Sequence, residues 1–289
     1  MKALVSLHKT EEPHVCLVLV DIEKKEIERT FTFNDFIDSK HFEREDGLKG
    51  IRGITWDNDD NFYFATYDKV IKTNFDLRNQ EIIFNGIDIH QIDWIKTTSG
   101  VEGLGICNTN QNSVIFHMLD DVAMLHIGLD GLVEDANHIC SLFYNNGHCY
   151  FVYHNHLRGG WIVRSDDQKI YTGNLFQPHN IYVSNNEEIM LICNSRYNSV
   201  VKVSDKNDKE ELMLSAYTRG LALSPEGNML VGESNRSSIP SISIIDYHSF
   251  RRIDQIVLTE IDDRIQGEIF DIRLLENDLC MSKTMIKLN

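Results

Sequence analysis

Long stripes of the 3.6-residue period are nearly absent from this sequence, which excludes an all-α fold. The one helical candidate is a short polar insertion around residues 34–45. No apolar run approaches the length of a membrane span. The opening Met1-Lys2-Ala3-Leu4-Val5-Ser6-Leu7-His8-Lys9 turns polar too soon for a signal peptide. There is no Cys-x-x-Cys pair. The six cysteines, Cys16, Cys107, Cys140, Cys149, Cys193 and Cys280, are scattered through mostly apolar runs. They read as buried, reduced and structural in a cytoplasmic protein. Excess positive charge is lacking too: a formal net charge of −16 argues against nucleic acid or an anionic membrane as partner. It leaves room for an anionic substrate held by local arginines, and it leaves homo-oligomerisation open.

Familiar catalytic signatures are also missing. There is no Gly-x-Ser-x-Gly elbow, phosphate loop or dinucleotide fingerprint, and Gly103-x-Gly105 stands alone. Asp57-Asn58-Asp59-Asp60-Asn61 mimics a calcium loop without its downstream glutamate and reads as a turn between strands. Trp56-Asp57 and Trp94 fall on first strands and lack a Gly-His partner, so this is no WD40 array.

What is present is a repeated sentence: a short alternating strand, an Asn/Asp/Gly turn, and a second apolar strand. It begins at Arg52, His90, His138, His179, Arg219 and Phe270, at intervals of 38 to 51 residues. That spacing is the length of a four-stranded propeller blade. The expectation is an all-β, six-bladed β-propeller spanning 1–289 as a single domain. The N-terminal strands Lys2–His8, Val15–Asp21 and 26–33 and a C-terminal inner strand near 269–275 would close the ring, with a further strand near 279–285.

Two residues after the six openers stand Ile54, Ile92, Cys140, Ile181, Leu221 and Ile272. Two further on stand Trp56, Trp94, Leu142, Val183, Leu223 and Leu274. All are apolar, as period-2 layers beneath a polar ring would be. The loops from second to third strands share the end of the blades where that ring lies. They carry Asn108, Asn110 and Asn112, then His154, His156 and Arg158, then Arg196, then Arg236.

A single histidine in a polar propeller mouth is usually just hydrogen-bonded. Three at matching positions of consecutive blades, His90, His138 and His179, suggest a shared divalent metal, zinc or manganese/iron, with an open fourth position. Asp88 and Glu268, each two residues before an opener, are acid–base candidates. Arg52 and Arg219 suit bidentate contact with a carboxylate or phosphate, and Arg158, Arg196 and Arg236 are further substrate contacts. His154 and His156, two apart on a strand edge or loop, read as substrate contacts or surface residues, with His154 a third acid–base candidate.

Pro178-His179-Asn180, Thr218-Arg219-Gly220-Leu221, Gly232-Glu233-Ser234 with Arg236, and Asn137-His138-Ile139 resemble a bacterial family of six-bladed propellers with Pro-His, Arg-Gly-Leu and Gly-x-Ser motifs. More distantly the chain is similar to the gluconolactonase and strictosidine-synthase-like clan. That clan's gluconolactonase sites use carboxylate and asparagine ligands, whereas a three-histidine centre looks more like the amidating-lyase propeller. The resemblance implies the six-bladed fold; the ring of histidines and arginines at the mouth suggests a metal-dependent lyase, epimerase or hydrolase acting on a small oxygen-rich anionic metabolite, a sugar acid or nucleotide sugar. The alternative is a non-enzymatic propeller that binds a ligand or a protein.

Overall fold

The computed structural model describes residues 1–32, 35, 50–77, 79–97, 100–118, 122–126 (backbone only), 135–155, 159–164, 170–204, 206, 208–234 and 239–275. The chain folds as a β-propeller of six four-stranded antiparallel blades. Three blades make up a compact unit formed by residues 1–85 and 219–289, and three make up a second unit, residues 86–218. No helix among the described residues is long and apolar enough to cross a membrane.

In the first unit, blade one runs β4 (Ile54–Trp56), β5 (Asn61–Ala65), β6 (Lys69–Asn74) and β7 (Glu81–Asn85). Blade five runs β20 (Thr218–Leu223), β21 (Asn228–Glu233), β22 (Ser241–Asp246) and β23 (Arg251–Val257). Blade six joins the two ends of the chain: β24 (Glu268–Leu274) pairs with β1 (Lys2–His8), followed by β2 (Val15–Asp21) and β3 (Glu26–Thr32). Ala3 sits opposite Leu274 and His8 opposite Glu268. The expected inner C-terminal strand is therefore present. With three N-terminal strands it completes the sheet; the further strand near 279–285 and the helical candidate near 34–45, Asp35 apart, lie outside the described residues.

In the second unit, blade two is β8 (Ile89–Lys96), β9 (Glu102–Asn108), β10 (Ser113–Met118) and β11 (Val122–His126). Blade three is β12 (Ile139–Asn145), β13 (His148–His154), β14 (Gly160–Arg164) and β15 (Ile170–Leu175). Blade four is β16 (Pro178–Val183), β17 (Ile189–Asn194), β18 (Ser199–Ser204) and β19 (Lys209–Met213).

Apolar side chains fill the space between neighbouring sheets. Cys140, Val152, Ile181, Ile192 and Val201 form one such core, and Val5, Val18, Leu230, Ile269 and Ile272 another. Ile54, Ile92, Cys140, Ile181 and Ile272 are all almost fully buried, as the period-2 pattern requires. Cys16, Cys107, Cys140, Cys149 and Cys193 are buried and form no disulfide, and burial pushes the Cys149 thiol up to about 12. Asp57 organises the turn between β4 and β5. Its Oδ1 accepts from the backbone N–H of Asp59 and Asn61, at 2.9 Å each, and its Oδ2 from the Tyr63 hydroxyl.

Bulges in the inner strands correct the sequence register. In β16 the shift falls between His179 and Ile181, so Asn180 is the extra residue of a β-bulge. In β12 it falls between Ile139 and Ser141, so the extra residue is Cys140, and Ser141 rather than Cys140 is the ladder counterpart of Ile181. His138 therefore stands one place further from its bulge than His179 does. In β24 the extra residue is Phe270 itself, and Ile269 takes the place that His179 has in β16.

Asp271 ties blade six to blade one. Its carboxylate accepts from the backbone N–H of Ile54 at 3.3 Å and of Ile272 at 3.0 Å, with Arg273 Nε at 3.4 Å. Burial pushes its pKa above the ordinary carboxylate value, and Arg273 and the two N–H donors offset part of that rise. Above the folded-state pKa the buried charge therefore subtracts from stability, and the penalty vanishes as the pH falls below the ordinary value near 4. Wild-type stability measured against Asp271→Asn should consequently fall as the pH rises from about 4 towards neutrality. Urea unfolding of both proteins across that range checks this, and a difference that grows in favour of the wild type would contradict it.

Candidate metal centre

Four histidines of the second unit come together, three at the starts of inner strands and one at the end of a second strand. His90 lies on β8, His138 immediately before β12, His179 on β16, and His154 at the end of β13. Ligand atoms of His90, His138 and His179 all lie within 4.8 Å of one another. The rings of His90 and His138 are 4.8 Å apart, edge to face, and those of His90 and His179 are 6.0 Å apart and nearly parallel. His90 and His179 are 4% and 2% exposed, and the His138 side chain 12%.

Local backbone sets these positions. Asp88, Asp135, His138, Gln177 and Asn180 all have positive φ, so the chain enters each inner strand through a left-handed turn. Asn108 and Asn194 brace two of these entries by the same device, each side chain accepting from the backbone N–H of the preceding blade connection, at Ile87 and Phe176 respectively. Thr109 and Ser195 then donate their hydroxyls to Ile139 and Thr218 carbonyls, at 2.6 Å and 2.5 Å.

Those bonds decide tautomers. The Ser195 hydroxyl proton goes to Thr218, so its lone pair is what faces His179 Nδ1 at 2.9 Å, and the Gln177 carbonyl faces the same nitrogen at 2.8 Å. Two acceptors on Nδ1 assign the proton there and leave Nε2 with its lone pair. His138 is fixed likewise: its Nδ1 lies 2.7 Å from Asp135 Oδ1. A carboxylate or carbonyl on one ring nitrogen, with the other presented as a ligand, is the support that metal-bound histidines characteristically have. Asp88 Oδ2 approaches His90 Nε2 at 3.5 Å.

His154 differs from the surface alternative considered for it. It is 2% exposed, its ring 4.4 Å from that of His138 and 5.9 Å from that of His179. Its ligand atom also groups with those of Cys140 and His179. The Cys140 thiol donates to the Pro178 carbonyl at 2.8 Å, which marks it as a structural link rather than a thiolate ligand.

Several contributors escaped the sequence pattern. Asp135 has no counterpart at its offset in other blades, and Ser195 and Gln177 act through a hydroxyl and a carbonyl. Phe176 and Tyr197, 38% and 48% exposed, pair their rings at 4.6 Å beside the residues that hold His179. Arg196 sits between them in sequence, exposed, its backbone N–H donating to the Phe176 carbonyl at 3.0 Å. Tyr197 and Ser195 stand in the loop from second to third strand of blade four, on the face of the ring, and Gln177 stands two residues before His179; for Phe176 the signal available was adjacency to Gln177 alone. His156, Arg158 and Arg236 lie outside the described residues.

The remaining expected residues belong to the first unit. Glu268, 6% exposed, faces Lys9 Nζ at 3.1 Å, His8 Nε2 at 3.5 Å and an Arg219 nitrogen at 3.7 Å. The guanidiniums of Arg219 and Arg52 lie 4.8 Å and 5.5 Å from the centre of the Phe270 ring, and Arg52 also lies 5.0 Å from Tyr67. Within that unit Glu268 is thus the anion of a cationic cluster.

Fold and site together define a six-bladed propeller with a buried polyhistidine centre. No protein-family model matches the sequence, and neither does any curated protein. Among solved structures, the chain is similar to one from the nidogen/laminin complex, with TM-score 0.67 and 10% identity over 94% of this chain and 97% of that one. It is similar to a luciferin-regenerating enzyme, with TM-score 0.59 and 12% identity over 76% of this chain and 78% of that one. It is also similar to regucalcin, a calcium-binding protein from Agrobacterium tumefaciens, with TM-score 0.54 and 11% identity over 71% and 73%. At such identities the likeness is one of fold.

Proposed function

We propose that the protein is a metal-dependent lyase, epimerase or hydrolase acting on a small oxygen-rich anionic metabolite of the sugar-acid or nucleotide-sugar type. One observation carries this: three imidazoles with ligand atoms within 4.8 Å of one another, two of them held by their Nδ1 to acceptors of their own chain. The donor set fits a borderline transition metal. Imidazole nitrogen suits zinc or iron, and the nearby Asp88 and Asp135 widen the choice towards manganese. Calcium, named for regucalcin, takes six to eight oxygen ligands and fits this nitrogen-rich set poorly. When bound, such a metal supplies Lewis acidity to a substrate oxygen or to water.

The chain's own residues supply the rest. Asp135, Gln177 and Ser195 hold His138 and His179 in one tautomer and orientation. Asp88, beside His90, moves the proton, with His154 as the second acid–base group. Phe176 and Tyr197 take the apolar face of a sugar ring, and Arg196 on the same turn meets its carboxylate or phosphate.

Elemental analysis of the purified protein, followed by chelation and reconstitution with zinc, iron or manganese, tests this. The expected result is about one equivalent of metal per chain, bound again after removal. A protein that comes out metal-free and takes up none of the three would overturn the proposal and leave the non-enzymatic binding propeller. A smaller effect is expected at the aromatic pair: Tyr197→Ala should raise KM for a turned-over sugar acid about ten-fold while leaving metal content unchanged.

A further inference from the structure

We infer that Glu211, on the outermost strand of blade four, is a positioning residue for the histidine centre: through Asn194 it fixes the turn that holds His179. Its consequence for metal binding rests on the function proposed above; its geometry stands on hydrogen bonds within the second unit.

Asn194 ends β17 and is 1% exposed. A side-chain amide accepts at its oxygen and donates at its nitrogen, so which way round it lies decides what it can hold. Glu211 decides that here. Its Oε1 accepts from Asn194 Nδ2 at 3.0 Å and from the Ser199 hydroxyl at 2.6 Å. An ionised carboxylate only accepts, so it draws the NH2 group to itself and turns Asn194 Oδ1 to the backbone N–H of Phe176, 2.7 Å away. Burial raises the Glu211 carboxyl, but the Ser199 and Asn194 bonds together with Lys209 lower it by more, so the group is ionised at neutral pH. Gln177, next after Phe176, places its carbonyl 2.8 Å from His179 Nδ1, and Ser195, next after Asn194, places its hydroxyl 2.9 Å from the same nitrogen. Both acceptors that assign the His179 proton therefore adjoin residues joined by the one amide that Glu211 orients.

Blade two meets the same need with a different residue. There Asn108 Nδ2 donates to Gln111 Oε1 at 2.7 Å, while Asn108 Oδ1 accepts from the N–H of Ile87, just ahead of Asp88 and His90. Asn108 pairs with Ser113 as Asn194 pairs with Ser199, and two places on Ile115 faces Met124 where Val201 faces Glu211. The outer strand of blade two thus carries methionine at this place, and the acceptor comes from the turn instead. An oxygen behind the asparagine is present in both blades, although its source differs. A contact that merely ties two strands together does not require this, whereas an amide that must lie one way round does. Without Glu211, Asn194 either leaves its NH2 group unpaired in a site closed to water or turns it against the Phe176 N–H. The Gln177 carbonyl is released in both cases.

Chelator competition for zinc and histidine nitrogen NMR of the full chain test this together, on Glu211→Leu, Glu211→Gln and Glu210→Leu beside the wild type. Glu211→Leu should bind zinc about ten-fold more weakly. In the metal-free chain its His179 ring should pass from one tautomer, protonated at Nδ1, to a mixture of both. Glu211→Gln should stay within about three-fold of the wild type, because a glutamine carbonyl accepts the same bond, as Gln111 does. Glu210→Leu removes an equal charge from the neighbouring position, where Glu210 meets Lys202 Nζ at 3.1 Å, and should move neither reading. Glu211→Ala carries the expectation of the leucine variant should that one fail to fold. A single Nδ1-protonated His179 in the folded leucine or alanine variant would overturn the inference. Equal losses in Glu211→Gln or Glu210→Leu would do the same, by making charge alone the cause. A wild type that takes up no zinc, iron or manganese, while its His179 tautomer still depends on Glu211, would sink the metal reading and leave the positioning role standing.

Discussion

Alanine at position 179 is expected to cost the protein its metal. His179 is nearly inaccessible, its Nδ1 is taken by the Gln177 carbonyl and the Ser195 hydroxyl, and only Nε2 is left to coordinate. If three ligands share a binding free energy on the order of 10 kcal/mol, loss of one costs about 3 kcal/mol, roughly a hundred-fold in affinity. Asp135→Asn should be milder, about ten- to a hundred-fold, because it leaves every ligand in place and only loosens the hold on His138. His248→Ala, on an exposed turn, should change nothing. Chelator competition on the three variants gives the ranking, with circular dichroism to confirm that each is folded. Full metal content in His179→Ala, with the fold intact, would remove His179 from the centre.

The second large effect is on stability. Gly232 lies on β21 where a Cβ would stand 2.2 Å from the Arg219 carbonyl oxygen and 2.4 Å from Ile269 Cγ2. One obstacle is backbone and the other is a fully buried branched side chain, so neither yields cheaply. Gly232→Ala is expected to cost about 3 kcal/mol, at the upper end of overpacking penalties. For a chain of this size that is a fall in Tm of about 6–12 °C. Differential scanning calorimetry measures this, and a Tm within about 1 °C of the wild type would show that β21 and β24 can part without loss. Gly220 is under a different constraint, because its φ of +75° places it where a side chain is strained whatever the space.

Much of the fold was legible because a propeller writes its period directly into the chain. Six openers at near-regular spacing, each followed two residues on by a buried apolar residue, are enough to count blades. Legibility failed at the bulges. One extra residue at Cys140 in one blade and at Asn180 in another shifts the ladder without disturbing the apolar alternation, since Cys140, Ser141 and Leu142 are all buried. Spacing cannot see such a shift, because the bulge stores it in backbone dihedrals. Of the two readings open for His154, the surface one fails for a related reason: two residues from another histidine near a turn, it looks like exposed sequence, yet it ends a strand and is buried against His138.

What the sequence determined by itself is the architecture: strand period, turn chemistry and repeat length are local or periodic properties, and they leave little choice of fold class. It also determined which residue types stand at the inner strand starts. Only the tertiary structure decided what those residues do. Asp135 rather than a regularly spaced acid holds His138. Glu268 became the anion of a lysine–arginine cluster. The nitrogen that His179 presents follows from a serine sixteen residues away, whose proton is spent on Thr218. Tautomer, ion pairing and convergence depend on distances between segments far apart in the chain, and no periodicity encodes those.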